Sequence, residues 1–264
     1  MGVRSMEKLV KPVVAGNWKM YKTISEAREL TAEIVNQSAD LSGASLILIP
    51  PFTAIQEVKK TAGGSRLKVG VQDLFWEEEG AFTGEISPRQ LKEAGCDFVL
   101  VGHSERRQIF GETDEMVRKK VLAALHHDLI PIVCIGENLE ERKNGQTLNK
   151  IKSQLENSLF GLPEEEFKMI ILAYEPIWAI GTGQNATPEQ AEEVHDYIRQ
   201  LIAGRYGKSL SACAIILYGG SVKPLNAFSL IKEKDVDGFL VGGASLSAGS
   251  FLGIVREASR PNEG

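Results

Sequence analysis

Between the apolar run at residues 170–174 and Pro176 stands a single carboxylate, Glu175. Proline disfavours the α conformation in the residue before it, so Glu175 is held extended at the end of a strand. Tyr174 on one side and Ile177 and Trp178 on the other argue against a wet loop acid, the common fate of glutamate. A shielded carboxylate suits a general base that takes a proton from carbon next to a carbonyl, because burial raises its basicity and keeps water from competing. His103, in Val101-Gly102-His103-Ser104-Glu105-Arg106-Arg107, follows another apolar run and opens a helix, where backbone N–H groups disfavour a charged imidazole. A neutral ring there could donate to a substrate oxygen, although a strand-end histidine that only satisfies a neighbour fits the segment equally well. Lys19, two residues after Asn17, could face an anionic or carbonyl oxygen, with Glu105 as the partner that would orient it. Its claim rests on position, since lone lysines are ordinarily solvated. His126, His127 and His195 lie in helical stretches and read as structural.

Two glycine pairs, Tyr218-Gly219-Gly220-Ser221 and Val241-Gly242-Gly243-Ala244, follow apolar runs late in the chain. With no bulky side chain in the way, their backbone N–H groups can approach an anion such as phosphate. Ala179-Ile180-Gly181-Thr182-Gly183 forms a small-residue tip between Trp178 and a capped helix at Thr187, as a closing lid needs and as an ordinary surface loop also has. The same glycines match a dinucleotide fingerprint, GxGxxA over residues 181–186. That motif should follow its strand at once, and here a long segment intervenes.

These groups need a scaffold that brings them together. Short, continuous, β-branched apolar runs recur at residues 13–15, 46–49, 67–71, 98–101, 130–135, 169–174, 214–218 and 239–241. Runs of this kind are strands of a parallel sheet buried on both faces. Amphipathic stretches with helix start signals lie between them: Thr187-Pro188-Glu189-Gln190 before the stripe Ala191, Val194, Ile198 and Leu201; Ser87-Pro88-Arg89-Gln90 with Gly95 as the stop; and Thr23-Ile24-Ser25-Glu26. Alternation of this sort closes into a barrel or lies open as a doubly wound sheet. Polar or glycine residues follow nearly every run, which favours an α/β architecture of the (β/α)8 barrel type, where all strand ends meet at one mouth. No linker interrupts the alternation, so residues 1–264 are expected to form a single domain, with 1–11 an N-terminal extension, either a tag or an alternative start at Met6.

With 43% hydrophobic and 25% charged residues the chain is globular, and its net charge of -5 offers no broad positive field for nucleic acid or anionic lipid. The three cysteines, Cys96, Cys134 and Cys213, are odd in number and lack metal-ligand spacing, which fits a reducing compartment. The absence of a long apolar run argues against a membrane protein. A cytoplasmic or processed organellar enzyme is expected.

Taken in order, Asn17-Trp18-Lys19-Met20, the segment from Ala81 to Ser87, the His103 motif, the run from Ala173 to Gly183 and the two glycine pairs strongly resemble the triosephosphate isomerase family, across about residues 13–255. The resemblance implies a TIM barrel interconverting dihydroxyacetone phosphate and D-glyceraldehyde 3-phosphate through an enediolate, without cofactor or metal. It further implies that Glu175 shuttles the proton, that His103 and Lys19 stabilise the enediolate, and that Asn17 helps fix the substrate. The glutamate base, neutral histidine and closing lid are known features of that family and not deductions from these residues. By the same resemblance, amides at Gly181, Ser221, Gly242 and Gly243 hold the phosphate, and Glu137 and Tyr218 latch a lid over residues 176–186 through Trp178 and the Ala186 end. The loop at residues 72–84 becomes the arm of a homodimer, carrying Thr83 to the partner's site. Asp73 and Gln184 depart from the family's common residues, an asparagine and a basic residue.

Two rival readings remain. A Schiff-base aldolase on the same barrel would need a lysine late in a central strand, and Lys19 is the nearest candidate. A catalytically dead sugar-phosphate-binding barrel would lack Glu175, His103 or Lys19, and all three are present.

Overall fold

The computed structural model describes residues 9–181 and 185–261. Eight strands, β1 (Val13–Asn17), β2 (Ser45–Ile49), β3 (Lys68–Val71), β4 (Phe98–Val101), β5 (Ile130–Ile135), β6 (Ile171–Tyr174), β7 (Ile215–Tyr218) and β8 (Gly238–Val241), alternate with helices and close in sequential order into a barrel. Every neighbouring pair is parallel, and β8 returns to β1 with Val13 opposite Gly238 and Gly16 opposite Val241. Each of the eight apolar runs contributes one strand.

Successive residues of a strand point to opposite faces, and here both faces are dry. Val13, Ala15, Ile47, Ile49, Leu100 and Leu217 fill the interior of the barrel. Val14, Leu46, Leu48, Val99 and Ile216 pack instead against the surrounding helices. Burying each such side chain contributes roughly 1.5–3 kcal/mol over leaving it exposed, so no strand has a face to spare for polar residues. That is why the runs read as continuous.

The helix starts are those the sequence suggests. Thr187 Oγ1 accepts from the Gln190 amide at 3.2 Å while Gln190 Oε1 accepts from the Thr187 amide at 3.0 Å, opening the helix Pro188–Tyr206. The same reciprocal cap occurs at Ser87 with Gln90 and at Thr23 with Glu26, and Gly95 takes φ +87° after the helix Pro88–Glu93. One position differs: the stripe continues from Ile198 to fully buried Ile202, with Leu201 only partly covered, because a spacing of four keeps a better line than three on a 3.6-residue helix. His195, on that helix, is buried too.

Of the stretch read as an N-terminal extension, Leu9 to Lys11 lies against the barrel. Leu9 packs against the interior core, and Lys11 Nζ pairs with Asp237 Oδ1 at 2.6 Å just before β8. Cys96 and Cys134 are buried and Cys213 is exposed. Among the described residues no helix is long and apolar enough to cross a membrane.

Candidate active site

Parallel strands put all their carboxyl ends at one mouth, and the backbone there fixes where Glu175 points. Its amide donates to the Ile135 carbonyl at 2.8 Å, while the Gly219 amide donates to the Tyr174 carbonyl at 2.7 Å. The peptide therefore continues the ladder one residue beyond β6, between β5 and β7. The fit is tight on both sides. A Cβ on Gly136 would meet the Glu175 carbonyl oxygen at 1.8 Å, and one on Gly219 would meet Glu175 Cγ at 2.9 Å. Glycine at these positions lets the neighbouring strand ends close on the carboxylate.

Glu175 is 2% exposed. Its Oε1 lies 3.0 Å from His103 Nε2, and its Oε2 accepts the Ser104 amide at 2.9 Å. His103 caps the short helix Ser104–Ile109, and its Nδ1 accepts the Glu105 amide at 3.3 Å. A nitrogen that accepts carries no proton, so the ring proton sits on Nε2, facing the carboxylate. Burial alone raises the Glu175 pKa, but His103, the Ser104 amide and Lys19 outweigh it and the net direction is down. The expectation that shielding makes this carboxylate more basic is thus not met in the free site, because its hydrogen-bond partners stabilise the anion. For His103 burial presses toward the neutral ring, Glu175 pulls the other way, and the net shift is upward while the two remain in contact.

Lys19 reaches the mouth through an unusual backbone. Its φ is +52°, a left-handed conformation that non-glycine residues rarely hold without support. The support is visible: Asn17 Oδ1 accepts the Lys19 amide at 3.0 Å, and Gln72 Nε2 donates to the Lys19 carbonyl at 2.7 Å and to the Ile49 carbonyl at 3.2 Å. The Lys19 ammonium donates to Glu105 Oε1 at 2.6 Å, the pairing its position suggested.

These groups face one cavity of about 270 Å³, just below the roughly 300 Å³ where drug-sized sites begin, so it suits a small ligand. Asn17, Lys19, His103 and Glu175 line one part of it, with Gly219 beside Glu175; Gly220 to Lys223 and Gly242 to Ala244 line the other, and Ile180 and Gly181 complete its wall. Among the described residues no carbonyl or side chain accepts the amides of Ser221, Gly242 or Gly243. Free main-chain donors in a concave site are ready for an anion. Nor do the described residues contain a group of three or more His, Cys, Asp or Glu arranged for a metal ion.

The family model described as triosephosphate isomerase matches residues 12–258. The chain belongs to the triosephosphate isomerase family. It is 52% identical over 245 residues to the triosephosphate isomerase of Alkaliphilus metalliredigens and to that of Caldanaerobacter subterraneus subsp. tengcongensis, covering 93% of this chain and 98% of each relative. The triosephosphate isomerase of Trichlorobacter lovleyi is 50% identical over the same proportions.

Other positions that the triosephosphate isomerase resemblance singled out are distributed around this cavity. Trp178 Nε1 donates to Glu137 Oε1 at 2.8 Å, and Tyr174 Oη donates to the same oxygen at 3.1 Å. Burial raises the Glu137 pKa. Burial also pushes the Tyr218 phenol up to about 12, with the Ala186 backbone opposing, although its hydroxyl makes no full hydrogen bond among the described residues. Thr83 is exposed and does not line the cavity. Asp73 is buried and paired with Lys120 at 2.6 Å and Arg106 at 2.8 Å. Thr182, Gly183 and Gln184 lie outside the described residues. Sequence reasoning missed three groups: Ser104, whose amide meets Glu175; Gln72, which holds the Lys19 turn; and Lys223 at the cavity's far end. Only Lys223 had a visible signal, three residues beyond a glycine pair.

Proposed function

We propose that the chain interconverts dihydroxyacetone phosphate and D-glyceraldehyde 3-phosphate. The observation that carries this reading is a buried carboxylate 3.0 Å from a buried imidazole, in a cavity whose other end offers unoccupied main-chain amides. Glu175 takes a proton from carbon 1 of the ketone and returns it to carbon 2. His103 Nε2–H and the Lys19 ammonium stabilise the enediolate oxygens, and His103 passes the hydroxyl hydrogen between them, so no proton is gained or lost overall. Asn17 fixes the substrate, and amides at Gly181, Ser221, Gly242 and Gly243 hold its phosphate. Entry of substrate separates Glu175 from His103 and Ser104. With those partners gone, burial is free to raise the basicity of Glu175, and the imidazole stays neutral at the helix start.

In the same reading residues 176–186 close as a lid, with Glu137 holding Trp178 and Tyr218 meeting the Ala186 end, which keeps water out and suppresses loss of phosphate from the enediolate. The chain acts as a cytoplasmic homodimer without cofactor or metal, the arm at residues 72–84 bringing Thr83 to the partner. Support for a partner is the exposure of Met20, Phe82, Ile109 and Phe110 on the single chain. A coupled assay of the purified protein with glyceraldehyde 3-phosphate tests the activity: turnover is expected, and folded protein without turnover rejects the reading.

A further inference from the structure

Besides His103, the residues lining the cavity carry three full charges, on Lys19, Glu175 and Lys223. Lys19 is compensated by Glu105 at 2.6 Å, and Glu175 carries the sign that repels a phosphate dianion. Lys223 has no ion pair among the described residues, on a chain whose net charge is -5. It is also well placed. Its amide donates to Asn226 Oδ1 at 2.7 Å, and Asn226 Nδ2 donates to the Ser221 carbonyl at 3.0 Å, so one side chain pins the turn that carries both Ser221 and Lys223. The backbone is fixed beside the free amides, while the exposed side chain can swing across the cavity's far end.

We propose that Lys223 is a specificity-determining residue for the dianionic end of the substrate, supplying the uncompensated positive charge that the main-chain amides lack. This deepens the functional reading above and rests on it. Amide dipoles orient a phosphate, but a full charge acts over longer range and also speeds its capture. An exposed charge facing a dianion at contact range in water is worth roughly 30-fold before screening, and at about 0.15 M salt, where the screening length is about 8 Å, part of that is lost.

The test compares Lys223→Gln, Lys223→Arg and Lys223→Glu with the parent enzyme at low and high ionic strength. For Lys223→Gln, kcat/KM on glyceraldehyde 3-phosphate should fall about three- to tenfold at low salt with kcat within about twofold, and the difference should shrink at high salt. Lys223→Glu should lose more, Lys223→Arg should behave like the parent, and turnover of unphosphorylated glyceraldehyde should be unaffected. An unchanged kcat/KM and salt dependence in Lys223→Gln overturns the proposal, as does an equal loss on glyceraldehyde. If the parent turns over no triose phosphate, the activity assignment is what fails. Titration with inorganic phosphate then decides the role of Lys223: weaker binding by Lys223→Gln supports it, and equal binding overturns it.

Discussion

At the Glu175 end of the cavity, side chains fix one another, with His103 at 3.0 Å from the carboxylate and Lys19 at 2.6 Å from Glu105. At the other end, Ser221, Gly242 and Gly243 present main-chain amides that nothing else in the described fold takes up. In the proposed function the first end serves charge that moves during a reaction, and the second charge that is only held. Substitutions should therefore fail differently at the two ends. Loss of a side chain should be severe at the first and mild at the second.

The largest effect is expected for Glu175→Gln, which keeps the shape but cannot accept a proton: kcat should fall by at least about 100-fold, the lower end of general acid–base contributions. Near-parental turnover would place the base elsewhere. Next comes Gly219→Ala, whose Cβ would sit 2.9 Å from Glu175 Cγ and push the carboxylate aside. A displacement of 1 Å can cost ~100-fold, and a loss of about 30-fold in kcat with native-like circular dichroism is expected. Parental kcat in this variant would show that the carboxylate is not fixed by its neighbours. Trp178→Phe removes the 2.8 Å hydrogen bond to buried Glu137. Hydrogen bonds to charged groups are worth roughly 1.5–3 kcal/mol, so kcat/KM should drop about tenfold and methylglyoxal formation per turnover should rise. An unchanged product ratio would separate this contact from the lid. The smallest effect should be that of Ser221→Ala, which keeps the amide and removes only the hydroxyl; KM is expected within about threefold of the parent. A much larger rise would mean that the far end also binds through side chains.

The same contrast explains what the sequence made legible. Eight strands could be read because each is buried on both faces, and three helix starts because their caps use a fixed three-residue spacing. That Glu175, His103 and Lys19 would share one mouth was legible because each follows the end of an apolar run. The two buried histidines show the limit. His103 and His195 are comparably buried, yet His195 faces the Asp235 carbonyl and two tyrosine rings, and burial lowers its pKa to about 4, whereas Glu175 draws His103 the other way. Contacts across 72 positions of chain are not a local pattern, so neither the Glu175 to His103 contact nor its consequence, a stabilised carboxylate in the free site, could be read from spacing. Backbone contributions such as the Ser104 amide, and the Gln72 support for a left-handed Lys19, leave no residue-type signature at all.

The most direct test of the central claim follows the proton itself. Purified enzyme is incubated with dihydroxyacetone phosphate in D2O, and nuclear magnetic resonance reads deuterium at carbon 2 of the glyceraldehyde 3-phosphate formed. A carboxylate that carries the proton and exchanges it with solvent predicts deuterium at that carbon, formed at least about 100-fold more slowly by Glu175→Gln. Unlabelled product would mean that Glu175 returns the same hydrogen before it exchanges; isomerisation by Glu175→Gln as quick as by the parent, with or without deuterium at carbon 2, would contradict the claim.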